Sequence, residues 1–398
     1  MSREVEVNNS ILEPNLRLVA WEITRRCNLS CAHCRASAED VDYGGELSTE
    51  ECFALIDRIA AVAKPIIILT GGEPLCRPDV FSIGRYAAER GLRVVLGTNG
   101  TLLDDDVARK LKEVPVSRVG VSIDFPTDVL QDEFRGRAGA FDEAIEGIRQ
   151  AQRAGIDIQI NSTVTKKNVA LIGELLDLAL EIGAVAFHPF MLVPTGRGKD
   201  LADVVLSAEE HEQVLNWIYD KQVELGDRIQ FKPTDAPHYM RIAAQRRKGR
   251  AVSDEGLVNQ APTGIPLSPP LRKGEVIEAS TMLPKSHHAM DAITRGCLAG
   301  TGFCFISHVG RVQGCGYLDV EAGNVREQDF ASIWSDSSVF NKLRNLSNLK
   351  GKCGACEYSR ICGGCRARAY EATGDYLSEE PYCMHQPGAV HASRAEKV

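Results

Sequence analysis

Thirteen unevenly placed cysteines constrain what this chain can fold into more than any other feature of its sequence. Three fall together at Cys27, Cys31 and Cys34, two stand singly at Cys52 and Cys76, eight crowd residues 297 to 383, and none lies between 76 and 297. A disulfide-held fold is normally short and exported. This chain has 398 residues, enough to bury a substantial core without cross-links, and its polar first ten residues lack the basic and apolar regions of an export signal. Short paired spacings in such a chain read as metal or iron-sulfur ligation. No run of 18 apolar residues occurs, so we expect no membrane insertion and a cytoplasmic location. With 46 basic and 54 acidic side chains, a formal charge of −8, the chain carries no electrostatic footprint for nucleic acid.

Residues 18 to 225 alternate short β-branched runs with helical patterns. Leu18–Ile23, Pro65–Leu69, Arg93–Leu96, Arg118–Ile123, Asp157–Ile160 and Val185–Phe190 are expected strands that hardly alternate in polarity, as buried parallel strands do. Between them, Ser48 with Glu51 and Ser207 with Glu210 form capping boxes that start helices, and Asp104–Glu113, Phe141–Ala154 and Asn168–Leu180 are further helices. Six such units predict a parallel βα architecture, an open barrel or a doubly wound sheet, with function at the carboxyl ends of the strands. Residues 1–17 form an N-terminal extension. The pattern lapses over 226–295, a bridging region whose stretch from about 246 to 290 carries four prolines between 262 and 270 and is expected to be an irregular insertion, inert or a lid. Residues 296–390 form a small cysteine-rich domain with few apolar runs, so bound metal must supply much of its folding free energy, and 391–398 are a tail.

The first chemical motif is TRRCNLSCAHC, in which Cys27, Cys31 and Cys34 can surround one cubic iron-sulfur cluster and leave its fourth iron open. A zinc knuckle is the alternative. Next, Thr70-Gly71-Gly72-Glu73-Pro74 ends the second strand, where two glycines permit close backbone approach and Glu73 can meet a cation. Together these motifs resemble the radical S-adenosylmethionine superfamily over residues 15 to 225. The resemblance implies an incomplete (β/α)6 TIM-like barrel and a [4Fe-4S] cluster on Cys27, Cys31 and Cys34 that binds S-adenosyl-L-methionine. It further implies that Glu73, with the backbone at Gly71 and Gly72, receives the methionine ammonium, and that His33 packs near adenine. Reductive cleavage to a 5′-deoxyadenosyl radical would then remove a substrate hydrogen. Thr98, Asn99, Ser122, Asp124 and Asn161 close the third to fifth strands and are expected to reach the same cofactor or its substrate.

The terminal cysteines resemble the SPASM-type extension of such enzymes. Seven family-pattern cysteines plus Cys304 would ligate two auxiliary [4Fe-4S] clusters, giving three in all. Interleaving implies Cys297, Cys304, Cys315 and Cys365 for the nearer one, and Cys353, Cys356, Cys362 and Cys383 for the farther. Cys362-Gly-Gly-Cys365 is one residue shorter than the family spacing. Were Cys304 only a core residue, the nearer cluster would keep an open iron. Paired zinc sites are the alternative reading of the thiolates alone.

TRRCNLSCAHCRASA, FKPTDAPHYMRI and CGGCRARAYEATGD are most similar to the radical enzymes of the alternative haem pathway. That resemblance implies oxidative decarboxylation of two propionates of iron-coproporphyrin III to vinyls, with a low-potential donor such as flavodoxin or ferredoxin. Relatives act instead on didecarboxysirohaem or on ribosomal peptides. Four propionates require cationic hosts, for which Arg35, His188, Arg197, Lys232, His238 and Arg241 are the candidates. We assign no general acid or base.

Overall fold

A computed structural model describes residues 10–253 and 295–388. Its chain alternates strand and helix from the start: β1 (Leu18–Thr24), α1 (Thr49–Val62), β2 (Ile66–Gly71), α2 (Val80–Glu89), β3 (Arg93–Thr98), α3 (Asp105–Glu113) and β4 (Arg118–Ser122). It continues through α4 (Asp128–Arg135), α5 (Ala140–Arg153), β5 (Asp157–Val164), α6 (Ile172–Glu181), β6 (Ala186–Met191), α7 (Ala208–Leu225), β7 (Gln230–Phe231) and α8 (Tyr239–Ser253). All six expected strands are present. So are both capping boxes: the Ser48 and Ser207 side chains accept from the backbone N–H groups of Glu51 and Glu210, whose carboxylates reach back.

Within the six βα units, two helices escaped the sequence reading. The α2 segment has no capping side chain, and its buried Val80, Ile83, Gly84 and Ala87 declare a stripe only once β2 and β3 flank it. The α4 segment is short and stops at Gly136, whose φ of 72° lies in the left-handed region that favours glycine. The expected irregular stretch also changes at its edge. Residues 246–253 continue α8 rather than open a loop, with Arg246 donating to Asn216 at 2.9 Å and stacking over Tyr219 at 4.9 Å. The remainder of the 246–290 insertion, and the tail, lie outside the described residues.

Beyond residue 295 come β8 (Phe303–Ile306), β9 (Arg311–Cys315), β10 (Leu318–Asn324), and the short helices α9 (Phe330–Asp336), α10 (Ser338–Arg344), α11 (Gly351–Ala355) and α12 (Arg366–Thr373). Their strands join the barrel sheet. The order is β10-β9-β8-β1-β2-β3-β4-β5-β6-β7, with β8 parallel to β1 in the register Leu18–Phe303 to Trp21–Ile306. A single hydrophobic core accordingly holds Trp21, Ile67 and Leu96 together with Val312, Phe330, Trp334 and Phe340. The cysteine-rich region, for all its few apolar runs, shares the core of the barrel, and residues 10–17 reinforce the join through Leu12 N–H to Arg344 O at 2.8 Å.

Along each barrel strand one face packs outward in the core, as Val19, Ile67, Leu96, Val121 and Ile160 do. The other face, branched at Ile66, Ile68 and Val95, is otherwise small or polar: Ala20, Thr70, Gly97, Gly120 and Asn161. A closed barrel fills its interior with bulky branched residues. Here the small inward side chains leave it hollow.

Candidate active site

The cysteine loop leaves β1 and is braced from outside. The Arg197 guanidinium donates to Cys31 O and Ala38 O, both at 2.9 Å, and Gly196, at φ 55°, approaches so closely that an added Cβ would lie 2.2 Å from Arg35 O. Around the sulfurs, donors converge. Leu29 N–H lies 3.4 Å from Cys27 Sγ, Ala38 N–H 3.4 Å from Cys34 Sγ, Arg135 Nη1 3.7 Å from Cys31 Sγ, and Asn99 Nδ2 3.9 Å from Cys27 Sγ. Burial pushes the Cys27 thiol up to about 12 and raises Cys31 as well. Donors aimed at sulfurs that burial keeps protonated make sense for thiolates on a cluster, whose binding expels the protons.

The turn after β2 lies directly beneath this loop. Gly72 has no room for a side chain, since a Cβ would stand 2.4 Å from Arg25 O and 2.5 Å from Arg26 O. Glu73 is wholly buried. Its carboxylate accepts from Thr98 Oγ1 at 2.8 Å, Asn99 N–H at 2.8 Å and Leu75 N–H at 3.1 Å, and burial lifts it to about 7. These contacts revise two expectations: Glu73 and Thr98 lock the end of β2 to the end of β3, and neither side chain borders the barrel cavity. Gly71 does border it.

Asp124 is likewise committed within the protein. It pairs with Arg135 at 2.5 Å, accepts from Thr163 N–H at 2.6 Å and lies 4.0 Å from His33 Nε2. His33 stacks on Phe134 with centroids 4.5 Å apart and the planes 9° from parallel, and burial lowers it to about 4, so the ring is neutral near pH 7. Ser122 ends β4, half-buried. Asn161 borders the cavity and accepts from Gln159 Nε2 at 2.7 Å, and its amide lies over Gly120, where a Cβ would stand 2.8 Å from Nδ2.

The cavity, about 830 Å³, runs through the hollow barrel from Leu18, Lys64 and Ile66 at the amino ends of the strands to Gly71 and His188 near their carboxyl ends. Cys297, Cys315 and Cys365 form part of its wall. Burial first, then Asp235, Cys365 and Cys297, hold the Cys315 thiol well above its ordinary value. A second group, Cys353, Cys356, Cys362 and Cys383, surrounds a separate crevice. Donors reach these sulfurs too: Gly364 N–H to Cys362 at 3.4 Å, Tyr358 N–H to Cys356 at 3.4 Å, and Arg366 Nη2 and Glu380 N–H to Cys353 at 3.5 and 3.3 Å. The second group therefore shares the pattern of sulfur-directed donors seen around Cys27, Cys31 and Cys34.

Cys304 belongs to neither group, which corrects its expected place beside Cys297, Cys315 and Cys365. Side chains alternate along β8, so Phe303 and Phe305 border the cavity while Cys304 and Ile306 enter the core on the opposite face, fully buried. Cys304→Ala will leave the iron content unchanged and lower stability by about 1 kcal/mol, the effect of a methyl-sized void. Cys315→Ala will lower iron instead; an iron assay with thermal melts on both variants checks the contrast. Cys52 is also fully buried in the core, its thiol raised to about 12 by burial.

The expected cationic hosts divide. Arg35, His188 and Lys232 border the cavity. Arg35 lies 4.5 Å over the Phe305 ring and pairs with Glu22 at 2.6 Å, whose other oxygen meets His308 Nδ1 at 2.7 Å. Burial opposes the Glu22 charge, but Arg35 and His308 together outweigh it and bring the carboxyl down to about 2. The His188 Nε2 is buried without a partner, and burial lowers its pKa, so the ring is neutral. Arg197, His238 and Arg241 do not reach the cavity: Arg197 braces the cysteine loop, Arg241 pairs with Glu212 at 2.5 Å, and His238 faces the second cysteine group. Sequence reading missed Arg17, Lys64, Asp235 and Tyr317, which also border the cavity; nothing in their local spacing distinguishes them.

This arrangement is that of a radical enzyme with an iron-sulfur extension, and the chain belongs to the radical SAM superfamily, whose model it matches over residues 21–201. Residues 297–365 match the SPASM iron-sulfur cluster-binding domain. Adenosylmethionine and iron-sulfur clusters, including auxiliary clusters in the SPASM region, are accordingly its cofactors. The chain is 49% identical over 372 residues to the AdoMet-dependent heme synthase of Methanosarcina barkeri, covering 94% of this chain and 97% of that protein. It is 34% identical over 381 residues to the Fe-coproporphyrin III synthase of the same organism, covering 92% and 87%. Streptococcus suis SuiB bound to its precursor peptide SuiA shares the fold at a TM-score of 0.68 and 17% identity, covering 94% of this chain and 77% of that one. Among the described residues no helix is long and apolar enough to cross a membrane.

Proposed function

We propose that this enzyme converts iron-coproporphyrin III to haem b, oxidatively decarboxylating two propionates to vinyls. The observation that carries the reading is the hollow barrel, about 830 Å³, open between the Gly71 turn and the thiols of Cys297, Cys315 and Cys365. Its wall carries Arg17, Arg35, Lys64 and Lys232 among apolar side chains, a match for a flat apolar macrocycle bearing carboxylates. The likeness to the heme synthase over nearly the whole chain supports haem as the product.

In this reading Cys27, Cys31 and Cys34 hold the adenosylmethionine-binding cluster, with Gly71 and Gly72 offering backbone carbonyls to the methionine ammonium. Cys297, Cys315 and Cys365 hold a nearer auxiliary cluster, and Cys353, Cys356, Cys362 and Cys383 a farther one. Residues 18–225 are the barrel unit and 296–390 the auxiliary unit, joined by 226–295. When bound, these cofactors supply hydrogen-atom abstraction and an electron outlet. The protein holds the propionates against its cations, keeps His33 and His188 neutral, and positions the ring-attached carbon for abstraction. Each propionate loses one hydrogen atom, one electron and carbon dioxide, leaving a vinyl. A cytoplasmic flavodoxin or ferredoxin would reduce the enzyme.

Anaerobic enzyme given a low-potential reductant, adenosylmethionine and iron-coproporphyrin III will yield a monovinyl intermediate and then haem b by mass spectrometry. Deuterium on the ring-attached propionate carbon will appear in 5′-deoxyadenosine. Turnover of didecarboxysirohaem with iron-coproporphyrin III inert, or isotope transfer only from another carbon, would sink this substrate while leaving the radical chemistry intact.

A further inference from the structure

With Cys304 turned into the core, the three thiols at the cavity wall lack a fourth protein partner of their own kind. Among the described residues bordering the cavity there is one carboxylate, Asp235, which shares the wall with those thiols and is near enough to Cys315 and Cys365 for their charges to interact. Two observations set it apart from an ordinary loop acid. Its Oδ2 is buried and accepts no hydrogen bond, an arrangement that is unfavourable for a carboxylate unless something compensates it. Its backbone sits at φ 54°, in the left-handed region, which aspartate enters more readily than most residues other than glycine but still uncommonly. That conformation is held from both sides. Preceding Thr234 bridges Phe190 on β6 and its N–H donates to Pro189 O at 2.8 Å, while Arg368 from α12 donates to the Asp235 carbonyl. A backbone fixed by surrounding contacts, together with an unpartnered buried oxygen at the cavity wall, marks a side chain held for a ligand.

We propose that the Asp235 carboxylate is the fourth protein ligand of the cluster held by Cys297, Cys315 and Cys365. The inference rests on the assignment of those three thiolates to a cluster, and it is independent of what the substrate is. A carboxylate is a hard oxygen donor on one iron among three thiolate-bound irons. It closes the cube with the same charge that a fourth cysteine would bring. Tyr317, which also borders the cavity, is the competing oxygen donor.

The test uses the full-length chain carrying Cys27→Ala, Cys31→Ala and Cys34→Ala, so that only auxiliary clusters remain after anaerobic reconstitution. This parent should hold about eight irons, two [4Fe-4S] clusters, and retain them through brief mild oxidation. Adding Asp235→Ala should speed loss of one iron per chain by at least about tenfold, the scale on which a lost metal-site group shows. The electron paramagnetic resonance signal of a three-iron cluster should appear at the same time. Asp235→Cys should retain the iron and shift the reduced-cluster spectrum and its potential, and this variant serves if the alanine form does not fold. Tyr317→Phe should behave as the parent. The proposal is overturned if Asp235→Ala loses iron no faster than the parent, if Asp235→Cys leaves the spectrum unchanged, or if Tyr317→Phe is the variant that releases the iron. It is overturned as well, through the thiolate assignment, if the parent holds only about four irons. No substrate enters the measurement, so its failure leaves the haem reading untouched.

Discussion

Replacing Cys27, Cys31 or Cys34 by alanine will take adenosylmethionine cleavage below detection while the auxiliary iron stays in place. Each thiol has its own N–H or side-chain donor: Leu29 N–H at Cys27, Arg135 at Cys31, Ala38 N–H at Cys34. Cys52 is shut in the core, and Cys76 belongs to the short helical turn Pro74–Cys76 that follows Glu73. The loop itself should survive the change, because Arg197 and the carbonyls of Cys31 and Ala38 hold it through main-chain atoms. Iron should therefore fall from about twelve to about eight per chain, one cube of three, with no 5′-deoxyadenosine formed. Product formation by the triple alanine variant would refute the assignment, whatever the substrate proves to be.

The second large effect lies at the junction of barrel and extension, in the Arg368–Glu380 pair. The two meet at 3.0 Å with both side chains 1% exposed. Glu380 accepts from Cys365 N–H at 2.6 Å, its own N–H approaches Cys353 Sγ at 3.3 Å, and Arg368 donates to the Asp235 carbonyl. One ion pair thus ties together both cysteine groups and the loop after β7. Arg368→Ala leaves the Glu380 charge buried without compensation and should destabilise the protein by about 3–5 kcal/mol. A hydrophobic residue of similar length, Arg368→Met, should do the same, since the loss is of charge and not of volume. Burial alone would raise the Glu380 carboxyl, but Arg368 foremost brings it down to about 2. A depressed carboxyl stabilises the fold above its unfolded pKa, about 4.3, and that contribution fades as pH falls toward 2. Denaturant melts between pH 7 and pH 3 check both points. The parent should lose stability across the acid range, and Arg368→Ala, already without the interaction, should lose less. Equal slopes would mean that Glu380 is not ionised in the native protein.

The barrel half was legible because its signals are local. Ser48 with Glu51 and Ser207 with Glu210 read as helix starts from three-residue spacing, and Leu18–Ile23 or Arg118–Ile123 read as strands from apolar continuity alone. The triplet Cys27, Cys31 and Cys34 and the run Thr70–Pro74 are likewise contained within a few residues, and they were enough to identify the superfamily. The side chains around them were harder to assign. Glu73 was expected at the methionine ammonium, and Arg197 and Arg241 at propionates, yet Thr98 and Asn99 claim the first, the cysteine-loop carbonyls the second and Glu212 the third. A charged residue near a strand end is as well satisfied by its own chain as by a ligand, and sequence spacing does not say which partner arrives.

What the sequence by itself determined is the alternation of strands and helices, the closely spaced cysteine triplet after the first strand and the count of cysteines beyond residue 296. What only the tertiary structure decided is which way those later cysteines face. Pairing of β8 with β1 joins residues nearly 300 positions apart, and the register Val19–Cys304 sends that thiol into the core with Val19 while Phe303 and Phe305 turn to the cavity. A strand slipped by one residue would exchange the two faces. The same long-range packing brings Asp235, from the loop after β7, beside Cys315 and Cys365, and leaves the barrel hollow where Ala20, Gly97 and Gly120 face one another. Helix caps and cysteine spacings are set by neighbours within a turn of chain, whereas strand register is set by the core it must bury, and that core exists only when the whole sheet has formed.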